Sequence, residues 1–187
     1  METILQQVRD FADQAHGEQM RKYAPERYIQ HPLRVMAIVQ EYSSSTPILA
    51  AALLHDVLED TPVNKQAITD FLQGLMPATQ VTRTVQLVEE LTDVYVKANY
   101  PHWNRRKRKS KEAERMEQTS ADAQTIKYAD IMDNAGQIVD QDPDFAKVFL
   151  SECRALLKKM EKGHTGLRDK AAAVVDNALS RLSAGNK

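Results

Sequence analysis

Apolar residues recur every three or four positions along almost the whole chain, which is the spacing of amphipathic α-helices. Near the N-terminus, for example, Ile4, Val8 and Ala12 fall on one face of a predicted first helix. A β-prone stretch, "VYV" at residues 94–96, is too short to change the class. We therefore predict an all-α protein, a bundle of roughly eight or nine helices.

Residues that favour helix ends agree with this spacing. Thr46 is a candidate N-cap with Pro47 at the first helical position, and the helix that they open is predicted to continue through "HDVLED". Asn64 is a candidate N-cap for the next helix. Further on, "RRKRKSKEAERMEQ" predicts a strongly polar helix that follows a loop at "NYPHWN".

Composition narrows the class of protein. The chain has 187 residues, of which 42% are hydrophobic and 27% charged, an ordinary globular mixture. The formal net charge of -1 gives no global attraction to nucleic acid or to an anionic membrane. With a single cysteine, Cys153, and neither a signal peptide nor a long apolar run, we expect a cytoplasmic protein. We predict one domain over residues 1–187, with a motif-bearing core at about 12–134 and C-terminal helices at about 142–182.

The stretch "AALLHDVLEDT", residues 51–61, places an imidazole and three carboxylates in an otherwise apolar helix. In a continuous helix, Glu59 follows His55 by one turn, and Asp60 follows Asp56 by one turn. These groups are costly to bury without a compensating cation. A divalent metal fits, because neutral imidazole and carboxylate both donate lone pairs to it.

Two further residues are candidates for the same metal. His31 precedes Pro32 at the predicted start of the second helix, and Asp130 lies among apolar residues of a later helix. Each has an ordinary alternative, since His31 could be a helix-entry residue and Asp130 could pair with Lys127, three residues earlier. Because His55 and Asp56 are present as well, the ordinary alternatives would all have to hold by coincidence, and a shared metal site is the simpler interpretation.

The order of these residues resembles the H…HD…D signature of the HD-domain metal-dependent phosphohydrolases. The motifs "AHGEQMRKY", "YIQHPLRV", "AALLHDVLEDT", "LTD" and "IKYADIMDN" are similar to the hydrolase domain of RelA/SpoT-type alarmone enzymes. Within that group, the chain looks most like the stand-alone small alarmone hydrolases of the metazoan SpoT homologue type. The resemblance extends from about residue 12 to residue 134, and it implies an all-α HD-domain fold.

The resemblance also implies an activity, a metal and a set of roles. Members of this family remove the 3′-pyrophosphate from (p)ppGpp, releasing GDP or GTP and pyrophosphate, usually with Mn²⁺. Oxygen and imidazole ligands by themselves suit Mn²⁺, Fe²⁺ or Zn²⁺ alike. The implied roles are metal ligation for His31, His55, Asp56 and Asp130, catalysis for Glu59 and Asp60 on the attacking water, and substrate binding for Arg21, Lys22 and Asn134.

The basic stretch departs from the family pattern. The usual "ERK"-like phosphate contact is replaced by the denser "NRRKRKSK". Counting back from Asp130, we expect Arg105, Arg108 and Lys109 to contact the pyrophosphate. A solvated helix face is a second interpretation of this charge run, and a contact with nucleic acid is a third, which the net charge of -1 disfavours.

Two alternative functions remain open at this point. One is an HD phosphohydrolase for another phosphorylated nucleotide such as NADPH, and the other is a catalytically silent nucleotide-binding protein. The expected partner is a small nucleotide substrate, with no nucleic acid and no membrane, and a homodimer is left open. No synthetase or regulatory domain is recognised in the sequence, so we expect hydrolysis only.

Overall fold

The structure, a computed structural model, describes residues 3–22 and 24–185. Within these ranges it has ten helices and no strand, apart from an isolated bridge between Met20 and Arg27. Nine of the ten helices are longer than a single turn. The prediction of an all-α protein with eight or nine helices is therefore confirmed. Across the same described ranges, no helix is both long enough and apolar enough to cross a membrane.

The chain divides into two compact units, Met1–Thr92 and Asp93–Lys187. The helices of the first unit are α1 (Ile4–His16), α2 (Gln30–Gln40), α3 (Thr46–Leu54), α4 (Val57–Asp60), α5 (Lys65–Gln73) and α6 (Ala78–Leu91). Those of the second unit are α7 (Arg105–Gln118), α8 (Ala121–Gln141), α9 (Pro143–Lys159) and α10 (Thr165–Gly185). The predicted single domain over 1–187 stays a prediction.

In the first unit, α3 is the central element. Its residues from Leu49 to Leu54 are all buried, and it packs against α1, α2 and α6. A helix that is apolar on every side needs neighbours on every side to remove it from water. The second unit is centred on α8, which packs against α9 and α10, while α7 packs against α9.

Of two predicted helix starts, one is confirmed and the other is wrong by one residue. Asn64 caps α5 as predicted, since its side chain accepts the N–H of Ala67 at 3.0 Å. For α3, the N-cap is Ser45 rather than Thr46, and Pro47 is the second helical residue. Ser45 has the extended backbone of a cap, whereas Thr46 is already helical. Proline tolerates this shift because the N–H groups of the first turn have no partner within the helix.

The predicted continuous helix through "HDVLED" is wrong at one point. α3 ends at Leu54, and the single-turn α4 begins at Val57, so that His55 and Asp56 lie between the two helices. The carbonyl oxygen of Asp56 accepts the N–H of Glu59 at 3.2 Å and that of Asp60 at 2.9 Å. The break therefore places the two polar side chains at a helix junction instead of on one uninterrupted helix face.

Candidate metal centre

Three side chains that could bind a metal converge in the first unit: those of His31, His55 and Asp56. Asp56 Oδ2 lies 3.0 Å from His55 Nε2 and 3.6 Å from His31 Nε2. Each residue offers one ligand atom, and the three atoms lie within 4.8 Å of one another. Among the residues that the structure describes, no other cluster of histidine, cysteine and acidic side chains has this geometry.

The local chain structure explains how these groups meet. His31 is the second residue of α2, and the other two residues occupy the break between α3 and α4. Both imidazoles are buried, whereas the Asp56 side chain retains 19% of its exposure. The two rings contact each other edge to face, with their centroids 5.1 Å apart. Solvent therefore reaches the group from the side of the carboxylate.

The hydrogen bonds of His55 test whether this donor set fits a metal. Its Nδ1 lies 2.8 Å from the carbonyl oxygen of Ala52. A carbonyl only accepts hydrogen bonds, so Nδ1 carries the proton, and a neutral ring then has its lone pair on Nε2. Nε2 faces a carboxylate oxygen of Asp56, so two electron-rich atoms lie 3.0 Å apart. A divalent cation bound to both atoms removes their repulsion, and the residues present therefore fit a metal ion.

Tyr28 belongs to this site, and the sequence analysis missed it. Its hydroxyl donates a hydrogen bond to Asp56 Oδ2 at 2.7 Å, and its carbonyl oxygen accepts the N–H of His31 at 3.0 Å. Burial, together with the nearby carboxylates of Asp56 and Asp60, raises the pKa of Tyr28, so the phenol remains a donor. The available signal was the position of the tyrosine in "ERYIQHP", three residues before the histidine.

The two predicted catalytic carboxylates, Glu59 and Asp60, lie together on α4 with exposed side chains. Partial burial raises the pKa of Asp60, and the carboxylate of Asp56 adds to this rise. The nearby hydroxyl of Tyr28 acts in the opposite direction and lowers the same pKa. Asp60 thus belongs to the same electrostatic group as Asp56, although its catalytic role stays a prediction.

The predicted nucleoside contacts of the first unit lie in the segment between α1 and α2. Arg21 donates its backbone N–H to the carbonyl oxygen of Glu26 at 3.0 Å. Its side chain is only 7% exposed, with Nε 4.0 Å from Glu26 Oε1. Lys22, by contrast, is exposed. Binding of substrate by either residue stays a prediction.

In the second unit, Asp130 is buried on α8 and has two polar partners. Lys127 Nζ lies 2.8 Å from Asp130 Oδ2, and Asn134 Nδ2 donates to Asp130 Oδ1 at 2.6 Å. The structure therefore brings together two of the predicted site residues, Asp130 and Asn134. It also contains the ion pair with Lys127 that the sequence left as the ordinary alternative. The role of Asp130 as a fourth metal ligand stays a prediction.

The three predicted phosphate contacts on α7 each bind a group within the second unit. The pairs are Arg105 with Glu152 at 2.8 Å, Lys109 with Asp93 at 2.8 Å, and Arg108 with the carbonyl oxygen of Trp103. To bind a phosphate, each side chain must exchange or share its present partner. Their role as pyrophosphate contacts stays a prediction.

Comparison with known proteins identifies the family. The sequence model of the family described as "HD domain" matches residues 9–156, which is most of the chain. The chain therefore belongs to the HD-domain family. The matched range includes His31, His55 and Asp56.

Curated relatives resemble a shorter part of the chain. The bifunctional (p)ppGpp synthase/hydrolase RelA of Mycobacterium tuberculosis is 48% identical over 59 residues, which are 32% of this chain and 8% of RelA. The guanosine-3′,5′-bis(diphosphate) 3′-pyrophosphohydrolase of Aquifex aeolicus is 42% identical over 66 residues, 35% of this chain and 9% of that protein. The matched stretch is thus less than a tenth of either relative.

One solved structure resembles nearly the whole chain. It is described as a metazoan ortholog of SpoT that hydrolyses ppGpp and plays a role in starvation responses. The TM-score is 0.76 at 21% sequence identity, covering 97% of this chain and 96% of the other. At this identity, the likeness shows that the two proteins share a fold.

Proposed function

We propose that the chain is a metal-dependent hydrolase that removes the 3′-pyrophosphate of (p)ppGpp and releases GDP or GTP and pyrophosphate. The observation that carries the proposal is the convergence of His31, His55 and Asp56 in a member of the HD-domain family. The names of the three relatives described above, all of which refer to hydrolysis of (p)ppGpp or to its 3′-pyrophosphate, supply the substrate. We place this activity in the cytoplasm.

Within this proposal, four residues hold one divalent metal ion, with Mn²⁺ preferred. His31, His55 and Asp56 converge in the first unit, and Asp130 is proposed as the fourth ligand on the sequence resemblance alone. A bound divalent cation lowers the pKa of water and withdraws charge from a phosphate oxygen. The carbonyl oxygen of Ala52 helps by fixing the ring of His55, so that its Nε2 points toward the carboxylate of Asp56.

The carboxylates of α4 are proposed to accept the proton of the attacking water. Glu59 and Asp60 are exposed, so water and substrate reach them without a change in the fold. In the proposed reaction, one of their oxygens orients the attacking water and accepts its proton.

The proposed bond changes balance as a simple hydrolysis. Water oxygen forms a bond to the phosphorus next to the ribose O3′, and the bond between that phosphorus and O3′ breaks. The O3′ takes up a proton, which leaves GDP or GTP and free pyrophosphate. Arg105, Arg108 and Lys109 are proposed to offset the phosphate charge, whereas Arg21, Lys22 and Asn134 bind the nucleoside.

The experiment is to incubate the purified protein with ppGpp and Mn²⁺ and to quantify GDP and pyrophosphate. We expect equimolar products, which are lost in excess chelator and in Asp56→Asn. Asp70→Asn is the matched control, because Asp70 is an exposed aspartate of α5 that should leave turnover unchanged.

Failure of this experiment is informative when metal content is measured in parallel. A protein that holds stoichiometric Mn²⁺ but releases no GDP would contradict the ppGpp assignment. Another phosphorylated nucleotide would then be the substrate to test, beginning with NADPH. A protein that binds no divalent metal would contradict the proposed mechanism itself.

A further inference from the structure

The phenol of Tyr28 has a specific position at the metal centre. It donates to Asp56 Oδ2 at 2.7 Å, and this oxygen is also the atom nearest to the two histidines. A phenol has one proton to donate, so this bond selects one of the two lone-pair directions of the oxygen. A bound cation would use the lone pair of this oxygen that the phenol leaves free.

A second aromatic ring holds this phenol in place. The imidazole of His16, at the end of α1, stacks on the Tyr28 ring with a centroid distance of 4.5 Å and an interplanar angle of 27°. On another side, the Tyr28 ring contacts His31 edge to face at 6.1 Å. Rings packed on two sides restrict the rotation of the tyrosine ring and so hold its hydroxyl oxygen beside Asp56.

The imidazole of His16 is buried and contacts Gln19. It is only 6% exposed, and its Nδ1 lies 3.0 Å from Gln19 Oε1. Its Nε2 is buried and has no hydrogen-bond partner among the residues that the structure describes.

We infer that Tyr28 is a positioning residue of the metal centre: its O–H holds the carboxylate of Asp56 in place, and the stacked ring of His16 holds the phenol. This inference rests on the proposal that the site binds a divalent metal, but not on the identity of the nucleotide. The hydrogen bond orients a metal ligand in advance, which lowers the cost of ordering the site when the metal binds.

The first test measures Mn²⁺ affinity by titration calorimetry in the absence of nucleotide. Tyr28→Phe keeps the ring and its stacking but removes the donor. We expect the dissociation constant for Mn²⁺ to rise about 10–100-fold, the usual effect of losing a group that orients a metal ligand. Tyr128→Phe is the matched control, because that buried phenol donates to the carbonyl oxygen of Met160 and should leave Mn²⁺ affinity unchanged.

The second test asks whether His16 acts through Tyr28. His16→Phe keeps a stacked ring and should retain most of the Mn²⁺ affinity. His16→Ala removes the ring and should weaken Mn²⁺ binding as Tyr28→Phe does. In the Tyr28→Phe background, His16→Ala should cost little more, because the hydrogen bond that the stacking supports is already absent. Additive losses would show that the histidine acts by another route.

Other outcomes overturn the inference directly. Wild-type Mn²⁺ affinity in Tyr28→Phe would remove the proposed role, and so would a variant that does not fold, since the tyrosine would then be structural. If Tyr28→Phe keeps its Mn²⁺ affinity but has a reduced kcat, the phenol acts on Asp60 rather than on Asp56. Asp60 also lies within hydrogen-bonding reach of the phenol. Because the readout is metal affinity, a failure to hydrolyse ppGpp leaves this test intact.

Discussion

Asp56 Oδ2 is the atom at which the interactions of the candidate site meet. It accepts a hydrogen bond from Tyr28, and it faces imidazole nitrogens of His31 and His55. The aspartate and both histidines were predicted from the sequence as candidate metal ligands. The starting point was an imidazole and carboxylates in an apolar helix, which need a compensating cation. Tyr28 was not predicted, because a tyrosine near a helix start is chemically unremarkable until its contact is known.

The proposed separation between residues that bind the metal and carboxylates that accept a proton can be tested at Glu59. Replacing Glu59 by Gln keeps the shape of the side chain but removes its ability to accept a proton. We expect Mn²⁺ binding to be retained and kcat to fall by about 10²–10⁴, the contribution of a positioned general base. Steady-state kinetics with parallel metal analysis measures both, and Glu89→Gln on α6 is the control. Normal turnover in Glu59→Gln would assign the base to Asp60 instead.

Asp93 makes the stability of the second unit depend on pH. Burial alone would raise its pKa, but the charges of Lys127 and Lys109 outweigh burial and hold the pKa below the unfolded value of 3.8. A group with a lowered folded pKa stabilises the protein above its unfolded pKa, and this contribution is lost as the pH falls through the folded value. Asp93→Asn should therefore lower the free energy of unfolding at pH 7 by about 1–3 kcal/mol.

Urea denaturation between pH 3 and pH 7 measures this contribution. The difference in free energy of unfolding between wild type and Asp93→Asn should be constant near neutrality and should shrink below about pH 4. A difference that does not change over this range would show that the carboxylate acts through its shape and hydrogen bond rather than through its charge.

At the scale of elements, helix type was easier to predict than helix continuity. The apolar periodicity correctly predicted helices on both sides of His55, because each turn is held by local hydrogen bonds. It did not predict the break between α3 and α4, because the same spacing of apolar residues fits either one continuous helix or two helices separated by a short break. Asn64 was predicted as a cap because its hydrogen bond reaches only three residues along the chain.

The close approach of the α9–α10 connection to α8 gives a sharp test of packing. A Cβ on Gly163 would lie 2.5 Å from Tyr128 Cε2 and 2.9 Å from the backbone nitrogen of Thr125. Tyr128 is fully buried and donates to the carbonyl oxygen of Met160, so neither neighbour can move easily. Gly163→Ala should lower the free energy of unfolding by about 1–3 kcal/mol in chemical denaturation.

The control for this substitution lies within α8 itself. At Gly136, an added Cβ meets no atom within 4 Å. Gly136→Ala should raise the free energy of unfolding by up to about 1 kcal/mol, because alanine loses less backbone entropy in a helix than glycine. A Gly163→Ala variant as stable as the wild type would show that Tyr128 and Thr125 relax around the added Cβ, and it would contradict the predicted clash.

At the scale of the whole molecule, metal binding should appear as stability. Mn²⁺ that binds the folded chain and not the unfolded chain raises the free energy of unfolding by about 2.7 kcal/mol at 100 times its dissociation constant. Thermal unfolding with and without Mn²⁺ measures this effect, and Asp56→Asn should abolish it while Asp70→Asn should not. An equal increase in all three proteins would indicate nonspecific binding of the ion.

The sequence by itself determined the helical class, the family and the kinds of ligand at the candidate metal centre. These features depend on local periodicity and on short motifs such as the adjacent His55 and Asp56, which are present in the chain before it folds. Only the tertiary structure decided which atoms converge, because His31 and Tyr28 reach the carboxylate of Asp56 through space from another segment. The same reason explains the partners of the basic side chains on α7, which are set by packing and not by sequence neighbours.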